Sequence, residues 1–535
     1  MTPDPLAPRL RWFGWGPPTP ADAPEPDLPP EADPLLRELG AAGIHRPPVA
    51  LEDVRLPPST LDPAPFAAIV GADAVRTDRL TRVAHAAGRS YLDLVRLRAG
   101  DGAGAPDAVV YPGSPAQVAA VIAAAATHDV AVVPFGGGTS VVGGVNPQRA
   151  GHVAAITLDL ARLDRLVAVD PVSLTATVQA GMTGPALEAA LAGHGLTLGH
   201  HPQSFEFSTV GGWAATRSAG QASTGYGAIA ELVAGLRCAT PAGELDCRAL
   251  PATAAGPDLR QLIVGSEGAL GVITELTLRV RPQPAHRRYE AWTFPSFAAG
   301  TDALRALAQA HAAPDVARLS DEQEVRMNRL VAAHAAAAPE DRVAAILGWE
   351  GDAGEVAERA RRSAAIARAH GGEPGPADGG EQWRAGRYAA PYLRDLLLTR
   401  GVLAETLETA GEWSRLAPLR AAVTGALERT LGERGTPPLV LCHISHLYAD
   451  GASLYFTVLA AQQQGAEAEQ WQAAKAAATE AMLGAGGTIS HHHAVGRDHA
   501  PWLAGEIGAT GLAALRAAKA RLDPQAIMNP GVLGL

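Results

Sequence analysis

Pro134-Phe135-Gly136-Gly137-Gly138-Thr139-Ser140, delivered by the apolar run Ala131-Val132-Val133, is the stretch on which the fold reading turns. Three consecutive glycines strip side chains from a turn, so that backbone N–H groups can converge on phosphate oxygens, and the hydroxyls of Thr139 and Ser140 add short donors. It is not a Rossmann fingerprint, since no GxGxxG opens a helix, nor a Walker loop, since no Gly-Lys-Ser/Thr follows. Alone, such a run also fits a plain flexible turn.

Working outward, a second glycine-rich turn, Gly265-Ser266-Glu267-Gly268-Ala269-Leu270-Gly271, feeds a strand in which Leu276, Leu278 and Val280 alternate with polar neighbours. Between the two lie Gln203-Ser204-Phe205-Glu206-Phe207-Ser208-Thr209 and Thr216-Arg217-Ser218-Ala219, where small and hydroxyl residues recur. In this order the segments, over about residues 105 to 283, resemble the PCMH-type FAD-binding domain of the vanillyl-alcohol oxidase superfamily. The resemblance implies an α+β, two-lobed domain with FAD extended between the lobes and contacts along 134–140, 203–209, 216–219 and 265–271. The glycine loop contains no His or Cys to bond the ring, so noncovalent FAD is expected.

A chain of 535 residues can build two or three domains with sizeable cores. A net charge of −11 without a Lys/Arg cluster excludes nucleic acid or an anionic membrane surface as the main partner. A small anionic substrate would need locally placed Arg or His. Cys238, Cys247 and Cys442 lack metal-ligand spacing and suit a reducing cytoplasm. No signal peptide is read after Met1 and no apolar run spans a bilayer, so a cytoplasmic protein is expected. The Ala- and Arg-rich, Lys-poor wording points to a GC-rich, bacterial genome.

Four segments are expected: a proline-rich extension with short helices (1–100), the FAD-binding domain (101–285), a substrate-binding cap of antiparallel sheet covered by helices (286–500), and a C-terminal segment returning to the FAD domain (501–535). Prolines 17, 18, 20, 24, 26, 29 and 30 forbid long helices near the start, whereas Arg11-Trp12-Phe13-Gly14-Trp15-Gly16 is aromatic enough to dock onto the body. Ser114-Pro115-Ala116-Gln117 starts a helix running to about His128, and Thr183 caps another stopped near Gly195. The runs 438–448 and 453–458 about Asp450-Gly451 predict a β-hairpin, and 464–483 a helix.

His491-His492-His493 follows that helix, with His443 and His446 on the hairpin. An extended segment would send alternate side chains to opposite faces, leaving only His491 and His493 to share a site, and His443 and His446 likewise diverge. With no carboxylate or cysteine at familiar spacing, no metal is expected and the imidazoles are read as substrate hydrogen-bonding groups.

The lactate and glycolate dehydrogenases of the superfamily carry His-x-Gly-Asp-Gly-Asn-x-His and Ser-Gly-Glu-His-Gly-Ile-Gly. Here Tyr455 stands in place of the second His, and a histidine of the Ser490-His491-His492-His493 run in place of the Glu. With Arg318-Leu319-Ser320-Asp321, Tyr392-Leu393-Arg394-Asp395 and Leu403-Ala404-Glu405-Thr406-Leu407-Glu408-Thr409, this resembles the alkyldihydroxyacetone-phosphate synthase family. That resemblance implies exchange of the acyl chain of acyl-dihydroxyacetone phosphate for a fatty alcohol. It implies Tyr455 as acid/base, Arg394 on substrate, and Arg318, His491, His492 and His493 as needed for activity. A phenolate at Tyr455 would require nearby cations to depress its pKa. The ending Met528-Asn529-Pro530-Gly531 reads like the dehydrogenase branch, which keeps a 2-hydroxy acid dehydrogenase as the alternative. A homodimer is expected from the family alone. Leu533-Gly534-Leu535 is no peroxisomal tripeptide, so bacterial cytoplasm, in contact with the inner leaflet, is the expected location.

Overall fold

The β-branched run Val130–Phe135 is the edge of a four-stranded sheet, pairing in parallel with Ala154–Asp159, which in turn pairs in parallel with Ala108–Val110. The computed structural model describes residues 6–18, 27–331 and 342–535; the prolines at 20, 24 and 26 lie outside the described residues. The helix Pro115–Thr127 carries the chain from Ala108–Val110 across to Val130–Phe135, the crossover that parallel strands of one sheet need. Its start is as read from sequence: Ser114 Oγ accepts from Gln117 N at 3.2 Å, and Gln117 Oε1 accepts from Gly113 N at 2.7 Å. Thr183 does precede the helix Gly184–Ala192, but its hydroxyl makes no cap.

A second, five-stranded antiparallel sheet orders Leu166–Asp170, Thr175–Gln179, Val272–Arg279, Val233–Thr240 and Gly243–Cys247. Leu276 and Leu278 are fully buried, as the alternation requires, and join Val132, Ile156 and Leu187 in one core shared by both sheets. Two lobes on one core leave their loops facing each other.

The third sheet is antiparallel throughout and seven-stranded: Glu373–Pro374, His286–Phe294, Val343–Gly351, Val316–Ser320, Leu439–Ile444, Gly451–Ala461 and Val402–Glu412. Helices Phe297–Gln309, Ala353–Ala369, Leu416–Glu433 and Glu467–Gly484 cover it over a core that includes Trp292, Trp349, Phe456 and Trp471. The predicted hairpin is present, with Leu439 opposite Leu459 and His443 opposite Tyr455.

Both chain ends bind the two domains together. Gly14 O and Arg11 O accept from the buried Arg89 guanidinium at 3.1 and 3.0 Å, while Asp395, on the cap helix Ala390–Thr399, accepts from Arg11 and from Trp15 N. The Arg11–Gly16 turn is thus docked. At the other end Val132 donates to Ile527 O and Asn529 N to Val132 O, extending the parallel sheet by a bridge. Asn529 Nδ2 donates to Gly144 O and Glu267 O, so the tail that reads like a dehydrogenase buttresses the glycine-rich loops.

Candidate functional site

A cleft of about 620 Å³ runs between the two lobes of the smaller domain, walled by Pro134, Gly136, Ser140, Thr209, Thr216 and Glu267 among others. The N–H groups of Gly137, Gly138 and Thr139 have no acceptor among the described residues, which leaves a row of donors for an anionic ligand. A mostly apolar slot walled by a turn that carries free backbone donors fits a dinucleotide such as FAD. The glycines have a second cause that sequence reading missed. A Cβ on Gly136 would lie 2.2 Å from Thr209 Oγ1 and one on Gly137 2.1 Å from Phe207 O, so the 203–209 loop presses directly on the turn.

Not every expected contact lines this slot. Thr209 and Ser140 do line it, but their hydroxyls also serve the protein: Thr209 Oγ1 caps the helix Val210–Ala215, and Ser140 Oγ accepts from Gly144 N to shape its own loop. Leu270 and Ala269 are buried packing residues, and Arg217 turns to Gln261 and Val264 O. Gln203 donates to Arg387 O, Phe205 stacks on Tyr388, Glu206 accepts from Tyr392 and Phe207 meets Trp15, so this stretch also joins the FAD lobe to the cap and the N-terminal turn. Gly144, Gly211 and Gly212 line the slot without having been expected there.

Facing the small domain, the cap presents a row set by strand register. Glu408, Tyr455, His443 and Ser320 stand directly opposite one another on four adjacent strands and therefore share a face. The His443 and Tyr455 rings stack 4.7 Å apart. Arg318, two residues before Ser320, pairs with Glu324 at 2.6 Å and lies 3.0 Å from His443 Nδ1, so it is engaged by protein groups and does not present a free cation to substrate. The Arg318 and His443 charges hold Glu324 low, against its burial.

The histidine tract is not extended, and the expected alternation fails. Residues 490–493 bend around Glu408, whose Oε1 accepts from the backbone N of His491, His492 and His493 at 2.9, 2.8 and 2.8 Å and from Ser490 Oγ at 3.0 Å. A carboxylate buried to 2 % exposure collects these donors, and neighbouring imidazoles hold its pKa well below normal despite the desolvation. Two residues on, Val495 N and Gly496 N donate to Glu267 Oε1 at 2.9 Å each. Two buried carboxylates, one from each domain, therefore pin six residues of chain through five amides and one hydroxyl. Burial raises the pKa of Glu267 to about 7, although those amides pull it down.

The bend brings His491 and His492 together instead of His491 and His493, and His446 joins them. One ring nitrogen from each of these three lies within 4.8 Å of the others, so that spacing would also admit a divalent cation. Burial pushes His491 down to about 4, His493 to about 3 and His446 well below its usual value, so these rings are neutral near pH 7. His446 Nε2 is buried without a partner, as is Nδ1 of His200, which approaches from the FAD lobe beside Ser218. Tyr455 is pushed up to about 12 by burial. The phenol is therefore protonated at rest, and His493, which meets it edge-on, is neutral and supplies none of the charge that a phenolate would require.

Arg394 projects from Ala390–Thr399 and donates Nη1 to Arg89 O at 2.6 Å, while its Nε and Nη2 are buried with no hydrogen-bond partner. Nη2 is 3.6 Å from Asp395 Oδ1, too long for a hydrogen bond. A desolvated guanidinium with two idle nitrogens is a site for an anion.

A family model for the FAD binding domain matches residues 106–247, and one for the C-terminal domain of FAD linked oxidases matches 283–533. The alkyldihydroxyacetonephosphate synthase of Dictyostelium discoideum is 32 % identical over 478 residues, covering 86 % of this chain and 78 % of its own. That of Trypanosoma brucei brucei is 32 % identical over 503 residues, covering 90 % and 82 %. A solved alkyldihydroxyacetonephosphate synthase superposes with a TM-score of 0.83 at 27 % identity over 98 % of both chains.

Proposed function

This chain belongs to the alkyldihydroxyacetonephosphate synthase family, and on that premise we propose that its site exchanges the acyl chain of acyl-dihydroxyacetone phosphate for a fatty alcohol. FAD is its cofactor. The observation that carries the reading is a protonated phenol, Tyr455, edge-on to the neutral His493 imidazole, together with a buried guanidinium, Arg394, on the same cap domain with two unused nitrogens. A protonated phenol and an anion anchor suit exchange at a phosphorylated ketone.

In this reading Arg394 holds the substrate's phosphate through Nε and Nη2, fixing the ketone beneath the cap row. Bound FAD, held by the 134–140 turn and the 265–271 loop, supplies an electron-deficient ring, and the exchange is redox-neutral overall. Tyr455 Oη gives its proton to the departing carboxylate and, once ionised, takes one from the carbon next to the ketone; in the second half the carbon regains a proton and the attacking fatty alcohol gives up that of its hydroxyl. His443, positioned by Arg318 and Glu324, packs flat on the phenol, and His493 meets it edge-on at 5.5 Å between ring centres. The site needs no metal in this account.

The segment boundaries near 100, 285 and 500 are part of the same proposal, as are a homodimer and a bacterial cytoplasmic setting in contact with the inner leaflet. Among the described residues no helix is long and apolar enough to cross a membrane. Palmitoyl-dihydroxyacetone phosphate and labelled hexadecanol should yield the alkyl product. Tyr455→Phe should lower that rate by about 10²-fold or more with the bound-flavin spectrum intact. Turnover of D-lactate or glycolate with an artificial electron acceptor, and none of the alkyl product, would overturn the assignment. The flavin is held noncovalently: acid precipitation should leave a colourless pellet and a yellow supernatant.

A further inference from the structure

Tyr448 sits on the hairpin between Leu439–Ile444 and Gly451–Ala461, 39 % exposed, and its hydroxyl is 2.5 Å from His491 Nε2. His491 Nδ1 is 2.9 Å from His492 Nδ1. His492 Nδ1 is 3.1 Å from Glu408 Oε2, and the His492 ring lies parallel to that of Tyr455 with centres 6.1 Å apart. A continuous chain of groups, each able to donate on one side and accept on the other, thus leads from the protein surface to the face that carries Tyr455.

We propose that Tyr448, His491 and His492 form a proton relay between solvent water and the buried reaction site, with Glu408 as its fixed counter-charge. The inference rests on the function proposed above, in which a proton leaves the substrate carbon and one is later restored. Outward, the second ring nitrogen of His492, Nε2, takes a proton from the reacting side as Nδ1–H passes one to His491 Nδ1. His491 Nε2–H passes its proton to Tyr448 Oη, and Tyr448 releases its own to water. Inward, water protonates Tyr448 and each transfer runs in reverse. The two halves of one exchange therefore return both rings to their starting tautomers, with no proton gained or lost. Glu408 Oε2, also 3.5 Å from His491 Nδ1, stabilises the charge in passage.

Other groups fit the direction. His491 is nearly closed from solvent, with a side-chain exposure of 9 %, so its Nε2 meets water through the phenol; His492 is less closed, at 16 %. Burial holds the Tyr448 pKa up at about 12 and that of His491 down at about 4, so at rest neither carries a charge that would trap the proton. The hairpin does not depend on the hydroxyl: Tyr448 N donates to Gly451 O and Trp413 Nε1 donates to Tyr448 O, both through backbone.

The test is Tyr448→Phe in the FAD-loaded full chain. In the alkyl-transfer assay kcat should fall about 10²-fold, at the low end of proton-transfer effects, with KM for both substrates unchanged. The solvent deuterium isotope effect on kcat should rise, and added imidazole buffer should restore much of the rate by reaching the exposed position. An unchanged kcat overturns the relay. So does a fall in kcat with an unaltered isotope effect and no buffer rescue, which would mean that the hydroxyl only pins the loop. If the wild type makes no alkyl product, the parent function fails, and the relay is judged by proton NMR. A low-field resonance from the Tyr448–His491 hydrogen bond, lost in Tyr448→Phe, supports it; absence of that signal in the wild type overturns it.

Discussion

The cofactor cleft and the cap row hold their ligands by opposite means. The cleft works through bare backbone from short contiguous turns, with idle amides at 137–139 and glycines that admit a neighbouring loop. The cap row works through side chains on strands far apart in sequence, where Glu408, Tyr455 and His443 meet only because three strands align. A backbone site tolerates many side chains but no added bulk. A side-chain site tolerates bulk poorly at its edges and fails when one buried charge is removed.

The contrast breaks most sharply at Glu408. Glu408→Ala leaves three amides and Ser490 Oγ without an acceptor and should cost about 3–5 kcal/mol, as for other buried charges stripped of their partner, with loss of alkyl transfer. Thermal unfolding of the FAD-loaded variant measures it. In the cleft, Gly137→Ala drives a methyl group against Phe207 O and should cost about 1–3 kcal/mol of overpacking, read as weaker FAD binding in a fluorescence titration while cap residues keep their protection from hydrogen exchange. If Gly137→Ala also released the cap, the two regions would not be separable.

Glu267 belongs to both regions and gives the smallest effect. Its folded pKa, about 7, lies above the unfolded value near 4.5, so its contribution favours the fold fully below about 4.5 and is lost as pH rises through 7. Glu267→Gln keeps an acceptor for Val495 N and Gly496 N but cannot ionise. The difference in stability between variant and wild type should therefore shift in favour of the variant from pH 5 to pH 8, measured by urea unfolding at several pH values. A flat difference would mean that the carboxylate is ionised throughout.

How much could be read beforehand differs between the regions for the same reason. The 134–140 and 265–271 turns, the helix capped by Ser114 and the hairpin about Gly451 are local, so their residue types carry their geometry. The pairing of His491 with His493 was misread because the path of the tract depends on Glu408, more than eighty residues away, and the engagement of Arg318 by His443 was equally hidden, since it rests on strand register. Tyr448 carried no signal at all, since its spacing from His491 is set by how a hairpin and a loop meet. Glu408 could have been suspected, as a carboxylate set between Leu407 and Thr409 in the middle of a strand needs a reason to be buried.

By itself the sequence determined that a glycine-walled dinucleotide slot would be followed by a histidine-bearing cap, because turns and caps depend on a few adjacent residues. Only the tertiary structure decided which imidazoles meet, which arginine is left free and which carboxylate gathers the tract. Those outcomes follow from strand register and burial, and desolvation then sets the charge of each group according to neighbours that lie tens to hundreds of residues away.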